Sequence, residues 1–327
     1  MSEPRRVATL AGDVPVDALG FTLMHEHVVL LDAEVEVNRL GRWRDEVEVP
    51  AARESLRATR AAGVDTLVDL TAFGMGRDVA RVRRIAEGTG LNVVVATGIY
   101  AFERLPRFFA ARGPGTANGG PEPVEEFLVR EIREGVADTG IRAGVVKCGS
   151  DAAGLTPDVV RMLRAAARAH RQTGVPISTH TDAASLGGRG QQELFRSEGV
   201  DLERVVIGHC GDSTDLDYLT GLMDAGSYIG MDRFGYDLRL PPERRLAVVA
   251  ALVRRGYAGR MVLSHDAPCY SDSLEPATRE RLWPDCSHRY IPTRVLPALR
   301  ELGVGEGDIE QMTVRNPRDV LGRRQPY

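Results

Sequence analysis

Residues 158–181 read DVVRMLRAAARAHRQTGVPISTHT, and they contain one complete repeat of the predicted fold. In the first part of this stretch the apolar residues recur at intervals of three and four, which predicts an amphipathic helix. Gly174 then acts as a helix stop. Residues 175–181 form a short apolar run of the kind found in buried parallel strands. The stretch therefore predicts a helix followed by a strand of an α/β protein.

Similar apolar runs, separated by longer amphipathic stretches, occur along the whole chain of 327 residues. There are eight such runs, at residues 21–28, 64–71, 91–100, 143–150, 175–181, 205–210, 228–233 and 261–266. Eight strand–helix units in a chain of this length predict a (β/α)8 TIM barrel, in a single domain covering residues 1–327. The rival is a doubly wound open sheet, which usually carries a glycine-rich phosphate loop after its first strand. The sequence has no such loop there.

Three segments fall outside this repeat. Residues 5–20 predict a small hairpin that closes the bottom of the barrel. Residues 103–122, rich in glycine and proline, predict a long flexible loop after the third strand, and residues 267–291 predict another after the eighth. Loops on the carboxyl side of barrel strands carry active sites. Tyr270 and Trp283, both in the last loop, are therefore candidate substrate contacts.

Composition excludes several classes of protein. The net charge of -4 leaves no basic stripe for phosphates, so we expect no nucleic-acid partner. The four cysteines show no CxxC spacing, which indicates a reduced, intracellular protein. No long apolar stretch follows the first residues, so we expect neither a signal peptide nor a membrane partner, and a cytoplasmic location.

Six polar residues end the apolar runs, at the edge where barrels place catalysis. The first run ends in His25-Glu26-His27, and residues i and i+2 of a strand project from the same face. The set consists of His25, His27, Lys147, His180, His209 and Asp266. Any one of them has an ordinary explanation: Lys147 alone would fit a structural lysine reaching to the barrel mouth, and Asp266 a helix cap. Six at matching positions predict one shared site.

The residue types in this set indicate a metal centre. Neutral imidazole and carboxylate suit zinc, the metal we expect first, and also cobalt, iron or manganese. Four histidines and an aspartate exceed the needs of one catalytic metal with an open position, whereas two divalent metals would use them and share a hydroxide nucleophile. A buried Lys147 beside two cations would have a lowered pKa, and its neutral amine can add carbon dioxide. The resulting N6-carboxylysine would bridge both metals.

The other histidines and two cysteines are predicted to be structural. Glu26 and His265 alternate away from the barrel interior, as do Cys148 and Cys210. His170 lies on a helix outside the rim pattern and is predicted to be a surface or packing residue. His288, in the last loop, could touch a substrate, but no other feature singles it out.

Six motifs that span nearly the whole chain resemble the phosphotriesterase family of the amidohydrolase superfamily, and most closely its phosphotriesterase-like lactonases. They are Thr22-Leu23-Met24-His25-Glu26-His27, Val145-Val146-Lys147-Cys148, Ile177-Ser178-Thr179-His180-Thr181, Ile207-Gly208-His209-Cys210-Gly211-Asp212, Gly230-Met231-Asp232-Arg233 and Ser264-His265-Asp266. The resemblance implies that His25, His27 and Asp266 hold a more buried metal and that His180 and His209 hold a more exposed one. A carboxylated Lys147 and a hydroxide would bridge the two. A homodimer is implied as well.

The resemblance also implies an activity: hydrolysis of N-acyl-homoserine lactones or of γ- and δ-lactones by the bridging hydroxide. Tyr100 and Arg233 favour lactones, because dedicated organophosphate hydrolases typically carry tryptophan and histidine there. We expect both residues to orient the ester, and Asp266 to move the proton, with Asp212 as a possible relay. In the lactonases that this chain resembles, a tryptophan shortly after the eighth strand lines the pocket for the acyl chain. This sequence has no tryptophan there, so the preferred length of the acyl chain stays open.

Three alternative functions remain at this point. The main activity could be that of a phosphotriesterase (aryldialkylphosphatase), with an organophosphate as the substrate, since the same site can bind a phosphoryl oxygen. Hydrolysis of amides or cyclic ureides is the second alternative. A metal-loaded barrel used only for binding is the third, although such a scaffold has no need of Asp266 as a general base.

Overall fold

The computed structural model describes residues 5–100, 103–322 and 325–327. Its main sheet contains nine parallel strands in a curled arrangement. In chain order, the hairpin strands β1 and β2 are followed by the sheet strands β3 to β11. The strands are β1 (Arg6–Thr9), β2 (Gly12–Pro15), β3 (Thr22–Leu30), β4 (Thr66–Asp69), β5 (Asn92–Gly98), β6 (Val145–Gly149), β7 (Ile177–His180), β8 (Val205–Ile207), β9 (Tyr228–Met231), β10 (Met261–Leu263) and β11 (Pro268–Ser271). Each of the strands β3 to β10 coincides with one of the eight predicted apolar runs, and only β3 extends beyond its run, by two residues.

The barrel closes through a strand that is interrupted. β10 pairs with β9, whereas β11 pairs with β3, at the other end of the sheet. Between them, the Asp266 amide donates to the His25 carbonyl at 3.0 Å, and the His27 amide donates to the Ala267 carbonyl at 3.0 Å. β10 and β11 are therefore two halves of the eighth barrel strand, and the predicted (β/α)8 barrel is confirmed.

Helices cover the outside of the barrel and begin and end where the sequence provides caps. The Thr156 hydroxyl accepts from the Val159 amide at the start of the quoted helix, and Gly174 ends that helix with a φ of 70°. The helices are α1 (Ala33–Val37), α2 (Asp45–Ala61), α3 (Val79–Ala86), α4 (Arg107–Ala110), α5 (Pro123–Arg133), α6 (Pro157–Thr173), α7 (Gly187–Ser197), α8 (Leu216–Asp224), α9 (Pro242–Arg254), α10 (Pro276–Leu282), α11 (Leu296–Glu301), α12 (Glu306–Glu310) and α13 (Asn316–Leu321). π-Helical turns at Ile291–Val295 and Gln311–Arg315 precede α11 and α13.

Two apolar layers stabilise this arrangement. The larger one lies between the strands and the surrounding helices. The smaller one fills the lower barrel interior, where Val68, Val94 and Val145 pack with Val7 and Val16 of the N-terminal segment. β1 and β2 form the predicted antiparallel hairpin, and it plugs the bottom of the barrel. The carboxyl mouth is consequently the open end, which positions the site there.

The two long segments predicted as loops contain regular structure. Residues 103–122 include α4, and residues 267–291 include both β11 and α10. β11 was missed because its hydrogen-bonding partner, β3, lies far away in the sequence, so no local pattern reveals the pairing. In the described parts of the chain, no helix is both long and apolar enough to cross a lipid bilayer.

Candidate metal centre and catalytic cavity

A cavity of about 450 Å³ opens at the carboxyl mouth of the barrel. All six predicted metal ligands line it, together with the predicted catalytic residues Tyr100 and Arg233 and with Trp283 of the last long segment. The remaining lining residues are Leu30, Met75, Tyr236, Leu238 and Arg239. The barrel thus brings together side chains from residues 25 to 283.

The HxH pair and Asp266 form the deepest group of this cavity. His25 and His27 both project from β3, as residues i and i+2 of a strand do. The Asp266 Oδ1 lies 3.3 Å from His25 Nε2 and 3.0 Å from His27 Nε2. Burial alone would raise the pKa of Asp266, but the neighbouring His25 and His209 hold it well below its usual value. The carboxylate is therefore ionised and can serve as a ligand.

Lys147 reaches the same group from β6. Its Nζ lies 3.0 Å from His25 Nε2, and the residue is only 2% exposed. Burial lowers the pKa of Lys147 to about 8. A neutral amine is thus within reach near neutral pH, which is the state that adding carbon dioxide requires.

His180 and His209 form a second group, beside the first. His180 ends β7, and its Nδ1 lies 2.8 Å from His209 Nε2. His209 follows β8 in a left-handed backbone conformation, with a φ of 58°, which a non-glycine residue seldom adopts. Burial lowers the pKa of both imidazoles, that of His209 furthest. Both rings are therefore neutral and have a lone pair to offer.

Asp232 connects the two groups, and the sequence reading had assigned it no role. One carboxylate oxygen lies 2.7 Å from His25 Nδ1; the other accepts from the His209 amide at 2.7 Å and lies 3.1 Å from His209 Nδ1. Because a carboxylate only accepts, both Nδ1 atoms carry the hydrogen and both Nε2 atoms keep a lone pair. The sequence contains one indication of a role for Asp232, which is its position beside Arg233 at the end of the seventh predicted strand.

The donor atoms fit divalent cations. Carboxylate oxygens and imidazole nitrogens lie close together in two overlapping groups: His25, His27 and Asp266 in one, and His25, His209 and Asp232, where both Nδ1 hydrogens face the carboxylate, in the other. The far nitrogens of His27 and His180 contact Thr71 at 2.9 Å and Asp151 at 3.4 Å, so hydrogen-bonding partners orient these rings too. Lone pairs that face each other repel unless a cation lies between them. A divalent cation bound between these atoms would remove that repulsion.

Arg233 lies between two carboxylates at the side of the cavity. Its Nε donates to Asp266 at 3.2 Å and its Nη1 to Asp212 at 2.7 Å. The second Asp212 oxygen accepts from Arg245 Nη2 at 2.6 Å. Although burial opposes it, the carboxylates raise the pKa of Arg233 above its usual value. These contacts give Asp212 the geometry of a residue that positions Arg233, while the relay through Asp212 stays a prediction.

The predicted aromatic residues are divided between two places. The Tyr100 ring lies 6.0 Å from the His180 ring, edge to face, and Tyr100 is 37% exposed at the mouth. Trp283 lines the cavity against Tyr236, whose hydroxyl donates to the Asp266 carbonyl at 3.0 Å. Tyr270, in contrast, packs on Trp43 and lines a separate groove. Its predicted substrate role is therefore not supported, because β11 carries it away from the cavity.

Glu26, the middle residue of the HxH motif, holds the interruption of the eighth strand. Its carboxylate accepts from the Ser264 hydroxyl at 2.7 Å, from the His265 amide and Nδ1 at 2.9 and 2.6 Å, and from the Ala267 amide at 3.1 Å. Burial would raise the pKa of Glu26, but His265 and these hydrogen bonds lower it. Glu26 and His265 are thus structural, as predicted. His288 is structural too, because it donates to the Ala267 carbonyl at 2.7 Å.

The remaining residues that were predicted to be structural are buried. Cys148 and Cys210 belong to the layer between strands and helices. His170 lies inside the protein, with Nδ1 2.7 Å from the Val175 carbonyl oxygen and Nε2 2.8 Å from the Tyr327 hydroxyl. Burial lowers the pKa of His170 to about 4. Its ring is a buried packing element.

Comparisons with known proteins agree with this site. A model of the phosphotriesterase family matches residues 5–321. A phosphotriesterase homology protein of Mycobacterium tuberculosis (strain ATCC 25618 / H37Rv) is 48% identical over 320 residues, which cover 98% of each chain. An aryldialkylphosphatase of Saccharolobus solfataricus is 35% identical over 302 residues, covering 92% of this chain and 94% of that one. The solved structure of the phosphotriesterase from Mycobacterium tuberculosis superimposes with a TM-score of 0.96 and covers 98% of this chain and all of its own.

Members of this family are hydrolases and generally bind a binuclear divalent metal centre. The cavity described above has histidine and aspartate groups that can bind such metals. The family model matches residues 5–321, and the relatives cover nearly the whole chain. The chain therefore belongs to the phosphotriesterase family.

Proposed function

We propose that this chain is a metal-dependent lactonase, which hydrolyses N-acyl-homoserine lactones or γ- and δ-lactones and has a side activity on organophosphate triesters. The observation that carries the proposal is the placement of Tyr100 and Arg233 in the wall of the cavity that contains His180 and Asp266. The family resemblance associates this tyrosine and arginine with lactonases. An ester carbonyl in the cavity would meet hydrogen-bond donors from both.

The metal centre in this proposal uses His25, His27 and Asp266 for one cation and His180 and His209 for the other, with a carboxylated Lys147 between them. Zinc is the expected metal. Such cations, when bound, supply an acidified water as nucleophile and polarise the ester carbonyl. The hydrogen bonds from Asp232 to both groups would keep the rings in place.

The other roles belong to side chains at the wall of the cavity. Tyr100 donates its phenol hydrogen, since burial raises its pKa and keeps it protonated at neutral pH. Arg233 is held by Asp266 and Asp212 through Nε and Nη1, which leaves its Nη2 to donate to a substrate oxygen. Asp266 would accept the proton of the attacking water and pass it to the alkoxide that forms when the C–O bond of the ring breaks. Asp212 orients Arg233 through Nη1, and its role as a proton relay stays a prediction.

A substrate panel with the metal content measured on the same sample tests the proposal. We expect lactones to be hydrolysed with higher kcat/KM than the aryl phosphotriester paraoxon, and both activities to disappear when a chelator removes the metals. Faster turnover of the phosphotriester would make that ester the main substrate class. Turnover of N-acyl amides alone would favour an amide-hydrolysing activity like that of the N-acetyltaurine hydrolases, of which the human protein is 25% identical to this chain.

A homodimer is part of the same proposal. Val37 and Leu40, in the segment after β3, are 79% and 76% exposed, and these apolar side chains are the contacts that we propose for a second subunit. Sedimentation velocity would measure the mass directly. A monomer at micromolar concentration would contradict the proposed dimer without affecting the activity.

A further inference from the structure

Arg239 lies at the mouth of the catalytic cavity, in the segment that follows β9. It lines that cavity together with Tyr236 and Trp283. The same side chain also lines a neighbouring hollow of about 530 Å³, next to residues Asp182 and Asp215. Arg239 therefore forms part of the wall between the catalytic cavity and this hollow, where the part of a substrate outside the lactone ring would lie.

The guanidinium of Arg239 has no counter-ion among the described residues. Arg233, six residues earlier, forms ion pairs with both Asp212 and Asp266. Throughout the described ranges, in contrast, no carboxylate lies within 4.0 Å of the Arg239 side chain, and no hydrogen bond from its guanidinium is formed. Arg239 is thus an exposed cation of the cavity wall with which no carboxylate of the described residues pairs.

The nearby acids are already engaged elsewhere. Asp266 is the one carboxylate among the described lining residues of the catalytic cavity, and it contacts His25, His27 and Arg233. In the neighbouring hollow, Asp182 accepts from the Ser185 amide at 3.0 Å.

The other two acids of the hollow are held as well. Asp215 caps α8 by accepting from the amides of Asp217 and Tyr218. Asp212 is bound by Arg233 and Arg245. None of the described acids of the hollow therefore pairs with Arg239, which lies exposed at the mouth and is accessible to an anionic group of a substrate.

We propose that Arg239 forms an anion subsite of the catalytic cavity and that the preferred lactones carry a carboxylate on the substituent outside the ring. This inference rests on the proposed lactonase function and deepens it. A guanidinium binds a carboxylate through two parallel N–H groups, which gives both attraction and orientation. The apolar wall beside it, formed by Leu238 and Trp283, would contact the chain that joins the carboxylate to the ring.

A matched pair of substrates tests the subsite. N-succinyl-homoserine lactone and N-butanoyl-homoserine lactone have acyl groups of the same carbon number, and only the first carries a carboxylate at neutral pH. We expect the metal-loaded enzyme to hydrolyse the succinyl compound with the higher kcat/KM. Replacement Arg239→Met should lower kcat/KM about tenfold for the succinyl compound and leave the butanoyl compound nearly unchanged, as expected for the loss of one charge-assisted contact.

Two controls separate this effect from general electrostatics. Arg244→Met removes an exposed arginine at the start of α9, outside the described lining of the cavity, and should leave the ratio of the two rates unchanged. Raising the salt concentration should reduce the preference of the wild type for the succinyl compound, because salt screens exposed charges. Equal losses for both substrates in Arg239→Met, or no loss at all, would overturn the subsite.

Calorimetric binding of the two ring-opened products gives a readout that does not need turnover. If no lactone is hydrolysed, the proposed function fails. A preference for the succinyl product that disappears in Arg239→Met would then still support the subsite. If lactones are hydrolysed but neither rate nor binding depends on Arg239, the subsite alone fails.

Discussion

Replacement of Glu26 by glutamine tests whether this buried carboxylate positions Asp266. Glutamine has the same shape, and its oxygen can still accept from Ser264 and His265. Its NH2 group, however, would face the Ala267 amide, which now donates to Glu26 at 3.1 Å. One buried amide would thus lose its acceptor and meet another donor, and the contacts to His265 would lose their charge.

The magnitude follows from these contacts. An unsatisfied buried amide costs about 1–3 kcal/mol, and the loss of charge from a buried hydrogen bond costs about 1 kcal/mol more. We therefore expect Glu26→Gln to lower the free energy of unfolding by about 3 kcal/mol. The segment from Ser264 to Ala267 holds Asp266 at a φ of 59°, a conformation that needs such support. Its relaxation should move the Asp266 carboxylate and weaken metal binding.

Urea denaturation of the metal-free protein would measure the loss of unfolding free energy. Metal stoichiometry and the visible spectrum of the cobalt-substituted protein would measure the change in metal binding. Glu131→Gln is the matched control, because the Glu131 carboxylate is also buried and binds Arg77 and Thr97 on the outer side of β5. This control should lose stability and keep its metals. If Glu26→Gln also kept two metals and an unchanged cobalt spectrum, the positioning role of Glu26 would be refuted.

Three further predictions concern the metal bridge, the phenol and a buried imidazole. Lys147→Ala should lose both metals and turnover, as measured by elemental analysis and lactone hydrolysis; full activity with two metals would rule out the carbamate. Tyr100→Phe should lower kcat for lactones about tenfold, on the scale of one lost transition-state hydrogen bond, and an unchanged kcat would remove its donor role. His170 has a folded-state pKa of about 4, below the unfolded value of about 6.5, so its unfolded state binds the proton first as the pH falls. The neutral His170 ring therefore contributes about 3 kcal/mol to the free energy of unfolding above pH 6.5, and this contribution is lost as the pH falls towards 4. Urea denaturation of His170→Gln at several pH values should show a smaller loss of stability between pH 6.5 and pH 4.

The eight barrel strands and the six candidate ligands were predictable because their signals are local. A buried parallel strand is an apolar run, and a residue at its carboxyl end lies at the mouth of the barrel wherever the strand sits in the chain. His25 and His27 needed only the two-residue period of a strand. The nature of imidazole, carboxylate and buried amine then indicated metals before any contact was known.

Other parts of the site depend on contacts between distant residues. β11 was hidden in a predicted loop because it exists through pairing with β3. That Tyr270 faces a groove beside Trp43 was hidden for the same reason, since the direction of its side chain follows from that pairing. Asp232 and Glu26 act on rings and amides contributed by other strands, and a one-dimensional pattern does not show which donors a carboxylate will meet.

The sequence by itself determined the barrel, the edge that carries the chemistry and the set of residues that can bind metals, because strand period, strand end and residue type are properties of short segments. The tertiary structure alone decided how those residues are oriented: Asp232 lies between two histidines, Glu26 accepts from the amides on either side of Asp266, and Arg239 lies at the mouth with no counter-ion among the described residues. The physical reason is that hydrogen bonds and ion pairs act over a few ångströms, and only the closed barrel brings residues some two hundred positions apart within that range.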